Sequence, residues 1–336
     1  MTTLLETRYR AVLRLLPASY RREREEEMVE TYLGDLDRDT QDQSRPTLAE
    51  VASVAALALR TRLGGPGAPF RYALLGSAAR HFALCAVLVQ AAAALVDRVL
   101  EVTWSFTRGA SERRLFLGGF TDRGPSLTVI AVLDWVLPLL WTVAYFALVH
   151  DRRRLARAAA LGAALPSLWP LLGPLVSDRV PPYPAYATTG ALLAWVSALT
   201  LCAAQHRDAP PARLPVGSPG RLYLAGCVVM GASVVLMRGV PDTVWAPATG
   251  FAVGALGWLL WQARRADPTP PGAALALAAL GLLILAVRIA ALVPWLGVPE
   301  AGVLVVGGLG QTAVLAVLVA ALAMVGGREL TRHRDG

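Results

Sequence analysis

In the stretch VIAVLDWVLPLLW, residues 129–141, a single carboxylate, Asp134, stands inside a run apolar enough to cross a bilayer. A charged carboxylate in hydrocarbon costs on the order of 2.5–3.5 kcal/mol on insertion, so it is expected to face the interior of a bundle and find a partner or a proton. Arg238 and Arg288, near the outer ends of their own apolar runs, are the expected partners, with Gln90 and Gln311 as neutral hydrogen-bonding neighbours. Two chemistries fit this set. One is a polar site for a ligand or a proton in the outer half of the bundle. The other, which a lone intramembrane acid favours, is a buried ion pair or hydrogen bond that fixes helix packing.

Other chemistry is harder to find. The chain has no HExxH, no GxSxG and no Walker-type loop, so it is expected not to be an enzyme. His81, His150, His206 and His333 are not paired at metal-ligand spacing, and Cys85, Cys202 and Cys227 sit singly in apolar runs without a CxxC. No metal, cofactor or disulfide framework is expected. Small residues recur at helical spacing, as in Gly250, Gly254 and Gly257 or Gly307, Gly308 and Gly310, which is the pattern that lets membrane helices approach closely.

The elements that would carry these residues follow from composition. Of the 336 residues, 55% are hydrophobic and 17% charged, and every one of the 32 basic residues is Arg. Such apolarity, a mean hydropathy of +0.49, excludes an ordinary soluble globule and indicates an all-α integral membrane bundle. Apolar segments near 78–96, 126–149, 158–177, 183–204, 220–237, 244–263, 272–291 and 302–325 predict eight spans, each near the roughly 20 residues that cross the hydrocarbon. With the amino terminus inside, fourteen of the 22 arginines beyond residue 62 fall on the cytoplasmic side, and five of the eight outer ones share the long outer loop after the first span. That bias predicts both termini in the cytoplasm of a bacterial membrane, with a short tail at 328–336. No apolar run precedes residue 72, so no secretory signal peptide is expected.

Residues 1–63 are different. They predict three amphipathic helices: about Leu4 to Leu16, from Ser19 to about Asp37, and a third after Thr47. Each has one apolar stripe, enough to close a small bundle, and GGPGAP, within 64–71, reads as the linker to the spans. Residues 1–62 hold ten Arg against eleven acids, so the formal charge of +8 belongs to the spans and nucleic acid is not an expected partner. Arg21, Arg22, Glu25 and Glu26 form i,i+4 pairs on the polar face of the second helix, a candidate surface for docking a partner.

The stretch LLPASYRREREEEMVETYLGDL resembles the permease-prefix or HAAS-like helical domain at the amino terminus of many actinobacterial membrane proteins and some ABC-type permeases. The residues that carry the likeness are Leu16, Pro17, Tyr20, Arg21, Glu26, Glu27, Met28 and Tyr32. The resemblance covers about a fifth of the chain and implies a cytosolic helical module on a membrane protein, in a group associated with transport or transcriptional regulation. The spans match no transporter pattern, and no large extracytoplasmic domain interrupts them. The first expectation is therefore a regulatory or sensory membrane protein whose module docks a cytosolic regulatory protein. The second is a transporter or a partner of an ABC-type transport component, with a polar site around Asp134. A membrane scaffold is the third.

Overall fold

The computed structural model describes residues 4–34, 45–64, 70–121, 125–176, 183–205, 210, 218–236, 244–264 and 272–332, and no strand occurs among them. They form two compact units, one reaching to Ser77 and the other beginning at Ala78.

The first unit contains α1 (Leu4–Leu13), α2 (Ala18–Gly34) and α3 (Leu48–Arg62). Leu5, Tyr9 and Leu13 recur every four residues and are the buried face of α1, as a 3.6-residue period requires. The helix ends three residues sooner than its periodicity suggests. Leu15 and Leu16 close tight turns onto Val12 and Leu13, and Pro17, which has no N–H to donate, leads into α2, so Ser19 lies inside that helix. Tyr9, Leu13, Leu16, Val29, Val54 and Ala58 make one core, with Tyr20, Met28 and Tyr32 packed partly against it. Val29, rather than Met28, is the residue of α2 that becomes fully buried.

Glu50 ties this unit together. Thr47 caps α3 by accepting from Glu50 N, while the Glu50 carboxylate accepts from Thr47 N at 2.6 Å, a reciprocal capping box. The same Oε2 accepts from the Tyr32 hydroxyl at 3.0 Å, and the Tyr32 ring stacks on Tyr9 with centroids 4.0 Å apart. The carboxylate thus joins α2 to α3, and the Tyr32 ring carries the link to α1. Arg62 adds a bond to the Leu15 carbonyl at 2.9 Å. At the exit, Gly76 has no room for a Cβ, which would overlap the Leu63 carbonyl oxygen.

The second unit begins within α4 (Phe70–Thr107) and continues through α5 (Ala110–Thr121), α6 (Pro125–Val136), α7 (Leu140–Val149), α8 (Arg153–Ala164), α9 (Leu168–Val176) and α10 (Pro184–Ala204). It closes with α11 (Pro219–Val235), α12 (Trp245–Ala263), α13 (Ala273–Leu292) and α14 (Gly302–Arg332). Among the described residues, six stretches are long and apolar enough to cross a membrane: Phe70–Thr107, Leu127–Val149, Arg153–Leu175, Pro184–Ala204, Ala273–Trp295 and Gly302–Arg328. The chain is thus a multi-pass helical membrane protein in length and composition. The segments predicted near 220–237 and 244–263 are helices too, α11 and α12, but lie outside that set.

Two differences from the sequence reading matter. The helix expected over 78–96 runs from 70 to 107, and α5 follows within two residues, so residues 97–121 are largely helix and not a loop. At 38 residues, α4 is about 57 Å long and outruns the roughly 30 Å of hydrocarbon, which places its charged residues toward its two ends. Half of its most apolar window is buried, against 11% for the stretch from α6 to α7. It is the central post: Leu84, Val87 and Ala91 enter one core with α7, α8, α10 and α11, and Phe82 and Ala86 enter another with α12, α13 and α14.

Neighbouring helices pair as antiparallel hairpins, α7 with α8, α11 with α12 and α13 with α14. The α7–α8 reversal turns at Asp151, in the left-handed region at φ 57°, with its carboxylate accepting from Arg153 Nε at 2.7 Å. Ala156, Ala159, Ala160, Ala163 and Ala164 form the buried stripe of α8, small enough for its neighbours to lie close. Val303, Val306 and Val317 are exposed on α14, as a lipid-facing surface would be.

Two outcomes follow from the first unit. Burial, then the bond to Glu50, pushes the Tyr32 hydroxyl up to about 12, and burial, then Glu50, also raises Tyr9. A raised tyrosine stabilises the fold fully below its unfolded pKa, about 10, and loses that contribution as pH climbs through the folded value. Thermal unfolding of residues 1–77, followed by hydrogen exchange or limited proteolysis across temperature, is expected to move down between pH 10 and 12. Tyr32→Phe is expected to cost about 1–2 kcal/mol at neutral pH and to flatten that fall. Gly76→Ala is expected to lower thermal stability by about 1–3 kcal/mol, whereas Gly254→Ala, with nothing within 4 Å of the added methyl, leaves it unchanged.

Candidate ligand cavity in the helical body

A cavity of about 260 Å³ opens within the second unit, lined by side chains from α4, α10, α12 and α13 and from the α6–α7 junction. Its polar lining includes Gln90, Asp97, Tyr186 and Arg288. Helical period explains why these residues meet. Gln90, Ala93, Ala94 and Asp97 stand at i, i+3, i+4 and i+7 on α4, and Ile284, Val287 and Arg288 repeat that spacing on α13. Contributors come from the carboxy-terminal parts of α4 and α13 and from the amino-terminal parts of α10 and α12. The cavity is therefore gathered at one end of these helices.

Arg288 is 2% exposed, an uncommon state for a guanidinium. Its Cζ lies 4.1 Å from the centre of the Trp245 ring, a cation–π geometry that holds the guanidinium plane in place. Trp245 itself is buried at the start of α12. Gly308 on α14 leaves the space that the arginine occupies, since a Cβ there would lie 2.8 Å from Arg288 Nη2 and 2.7 Å from Leu292 Cδ1. Of the repeated glycines, Gly250, Gly307 and Gly308 face close neighbours, while Gly254, Gly257 and Gly310 face open space.

The residues singled out from sequence separate. Gln90 and Arg288 meet at the cavity. Gln311 is elsewhere: its Nε2 donates to the Trp245 carbonyl at 3.2 Å and to Thr249 Oγ1 at 2.9 Å, binding α14 to the first turn of α12. Asp134 is exposed on α6 rather than turned into the bundle, and among the described residues it has no hydrogen-bond or ionic partner. Arg238 lies outside the described residues. On α2, Arg21 pairs with Glu25 at 4.0 Å, but Glu26 is engaged by Arg10 of α1 at 2.8 Å rather than by Arg22. The bonds to Glu26 and then Glu6 raise Arg10, and Arg10 lowers Glu26 below the usual carboxylate range. Arg22 is exposed.

Sequence reasoning missed the neighbours of Asp134 that do make contacts. Glu101 Oε2 accepts from Arg98 Nη1 at 2.6 Å and from Trp135 Nε1 at 3.0 Å, and Arg98 lies 5.7 Å from the Trp135 ring centre. This joins α4 to α6. A first span that stops at 96 leaves Asp97, Arg98 and Glu101 in the outer loop, whereas the i, i+4, i+7 register of Gln90 carried onward groups Asp97 with it. Tyrosines link α7 to α11: Tyr145 donates to the Pro219 carbonyl at 3.0 Å, and Thr142 and Tyr223 share a bond of 3.0 Å. Arg157 donates to the Gln205 carbonyl, fixing α8 against the end of α10.

The arrangement can bind but offers little for bond-making chemistry: one buried guanidinium, an amide, a phenol and a carboxylate around an apolar wall. No group of three or more His, Cys, Asp or Glu that could hold a metal occurs among the described residues. Comparison with protein-family models, with curated proteins and with solved structures gives no match to this chain.

Glu101→Ala is expected to cost about 1–3 kcal/mol, by stranding Arg98 and Trp135. Asp134→Leu is expected to leave stability unchanged or to raise it, because an exposed carboxylate on a membrane helix has nothing to lose. Thermal unfolding of the purified protein in one detergent measures both.

Proposed function

We propose that this chain is a sensory or regulatory membrane protein: the helical body binds a small ligand in the cavity, and the amino-terminal helices dock a cytosolic partner. The observation that carries the reading is the cavity, with a buried arginine held on a tryptophan in its wall. A path for polar solutes or ions ordinarily needs several intramembrane acids. Asp134, the acid on which the transport alternative rests, is exposed and does not line the cavity. Support for a docking module comes from the separate core of the first unit and from the resemblance of its sequence to permease-prefix domains.

We further propose eight crossings of the bacterial cytoplasmic membrane, with α11 and α12 as the two beyond the six long apolar stretches. At 17 residues, α11 is about 26 Å long, close to the hydrocarbon thickness. The distribution of arginines supports both termini in the cytoplasm, and the cavity then lies toward the outer face. In this arrangement α2 offers exposed Arg22, Glu23, Arg24, Glu27 and Glu30 to a partner of mixed charge.

A photo-crosslinking residue placed at position 22 in the native host is expected to trap a discrete cytosolic protein, and one at lipid-facing position 303 is not. Charge reversal by Arg22→Glu and Arg24→Glu is expected to weaken the adduct several-fold and leave the protein's helix content intact. Equal adducts at both positions, or none at 22, would overturn the docking role.

A further inference from the structure

We infer that the cavity is a site for an anionic amphiphile, a molecule with one carboxylate or phosphate head group on an apolar body. This deepens the proposed sensory role and rests on it for its biological meaning, although the binding itself can be measured separately. The head-group assignment comes from Arg288. A guanidinium stays protonated, carries five N–H donors in a fixed fork and matches the paired oxygens of a carboxylate or phosphate. Here it is 2% exposed, lines the cavity and is oriented by Trp245 beneath it. Its donors outnumber the acceptor sites that one carboxylate ordinarily fills, so it can serve a ligand as well as its own neighbours. Gln90 supplies a neutral amide on the α4 wall.

The rest of the wall selects for an apolar body. Trp141, Leu193, Ile284 and Val287 bring aromatic and branched surface, while Ala93 and Ala94 leave α4 narrow where it borders the space. Pro138 and Pro247 lack backbone N–H groups, so they add shape without donors. Asp97 is the opposing charge; Arg98 Nη1 lies 3.8 Å from its Oδ2 but 2.6 Å from Glu101 Oε2, so Arg98 offsets only part of its repulsion of an incoming anion and Arg288 must supply the rest of the attraction. A cavity of about 260 Å³ sits just below the usual range for drug-sized ligands, roughly 300–1,000 Å³. A single short chain fits this volume better than a whole two-chain lipid.

Gly190 gives a direct way to close the site. It lines the cavity, and a Cβ built on it meets nothing within 4 Å. A side chain can therefore start from position 190 without a clash at its Cβ, and Gly190→Phe adds a ring at the cavity wall.

The test uses the full-length protein in nanodiscs of zwitterionic lipid, labelled with a diazirine-bearing dodecanoate, with adducts mapped by mass spectrometry. Adducts are expected on peptides around Gln90–Asp97 and Ile284–Arg288, with dodecanoate and dodecyl phosphate competing at least ten-fold better than dodecanol or dodecyltrimethylammonium. Gly190→Phe is expected to abolish those adducts while the protein elutes and melts as the wild type does. Arg288→Gln is expected to weaken the carboxylate about ten-fold and leave binding of the alcohol unchanged. Adducts confined to lipid-facing α14, equal competition by the neutral or cationic chain, or cavity adducts that survive Gly190→Phe would each overturn the inference. If dodecyl phosphate displaces the label at least ten-fold better than dodecanoate does, the preferred head group is a phosphate, and vesicles containing a lysophosphatidic acid then distinguish a lipid source from a soluble one. Loss of the ligand signal with the position-22 crosslink intact would discard this ligand and keep the docking role; the opposite pattern would do the reverse.

Discussion

In hydrocarbon a backbone N–H or C=O left without a partner costs several kcal/mol, and a helix satisfies nearly all of them within one segment. The second unit follows from that constraint. Its described residues form helices joined by turns, and its side chains are left to settle how closely the helices approach. Leucine gains nothing by leaving lipid for a neighbouring leucine, so close approach depends on small residues and a few polar bonds. The alanine stripe of α8 supplies the first. The bonds of Gln311 to α12, Tyr145 to Pro219 and Arg157 to Gln205 supply the second. With a core packed on each of two faces of α4, its middle could be built from Ala83, Leu84, Ala86, Val87, Ala91 and Ala92, all buried.

Polar side chains then accumulate where the constraint relaxes, toward the ends of helices. Glu101, Arg98 and Trp135 satisfy one another there. Arg288 is the exception in kind, because it is buried and carries a full charge. Its place is made by two features of other helices: Trp245, which offers a ring face, and Gly308, which offers the volume of a missing side chain. Three helices thus contribute to holding one guanidinium at a cavity wall. A group placed at such cost, with its orientation fixed, is a stronger pointer to binding than the solitary acid on α6.

Much of this was legible in the chain. Hydropathy located the long apolar helices of the body, since a run of about twenty apolar residues has few other fates, but not α5, which falls within the expected outer loop. The i, i+4 apolar stripe of α1 and the helix expected after Thr47 are both present in the first unit. Gln90 and Arg288 were both singled out, and they share a cavity. What hydropathy could not show was where α4 stops. Asp97, Arg98 and Glu101 lower a window average although they continue the helix, so they were read as loop, and the register linking Gln90 to Asp97 was cut. Asp134 misled for the opposite reason. Its surroundings in sequence are apolar, but a helix has an outward side as well, and one-dimensional burial does not distinguish the two. Glu50 was invisible as a hub because its Tyr32 contact spans eighteen residues of sequence.

The charges of the first unit carry a parallel lesson. A sequence dense in Arg and Glu suggests a surface open to partners, yet much of that charge is spent within the unit. Arg10 engages Glu6 and Glu26, and lies 3.7 Å from Glu25, so three acids of two helices converge on one guanidinium. Such exposed pairs contribute little stability individually; Glu26 stays at the surface, its side chain 80% exposed, but its charge is offset by Arg10. What remains legible to a partner is the outward row of α2 led by Arg22, not the Glu25–Glu26 pair that the i,i+4 rule first suggests. Charge density therefore overstates the available docking surface, and the side chains that satisfy one another must be subtracted before a recognition surface is drawn.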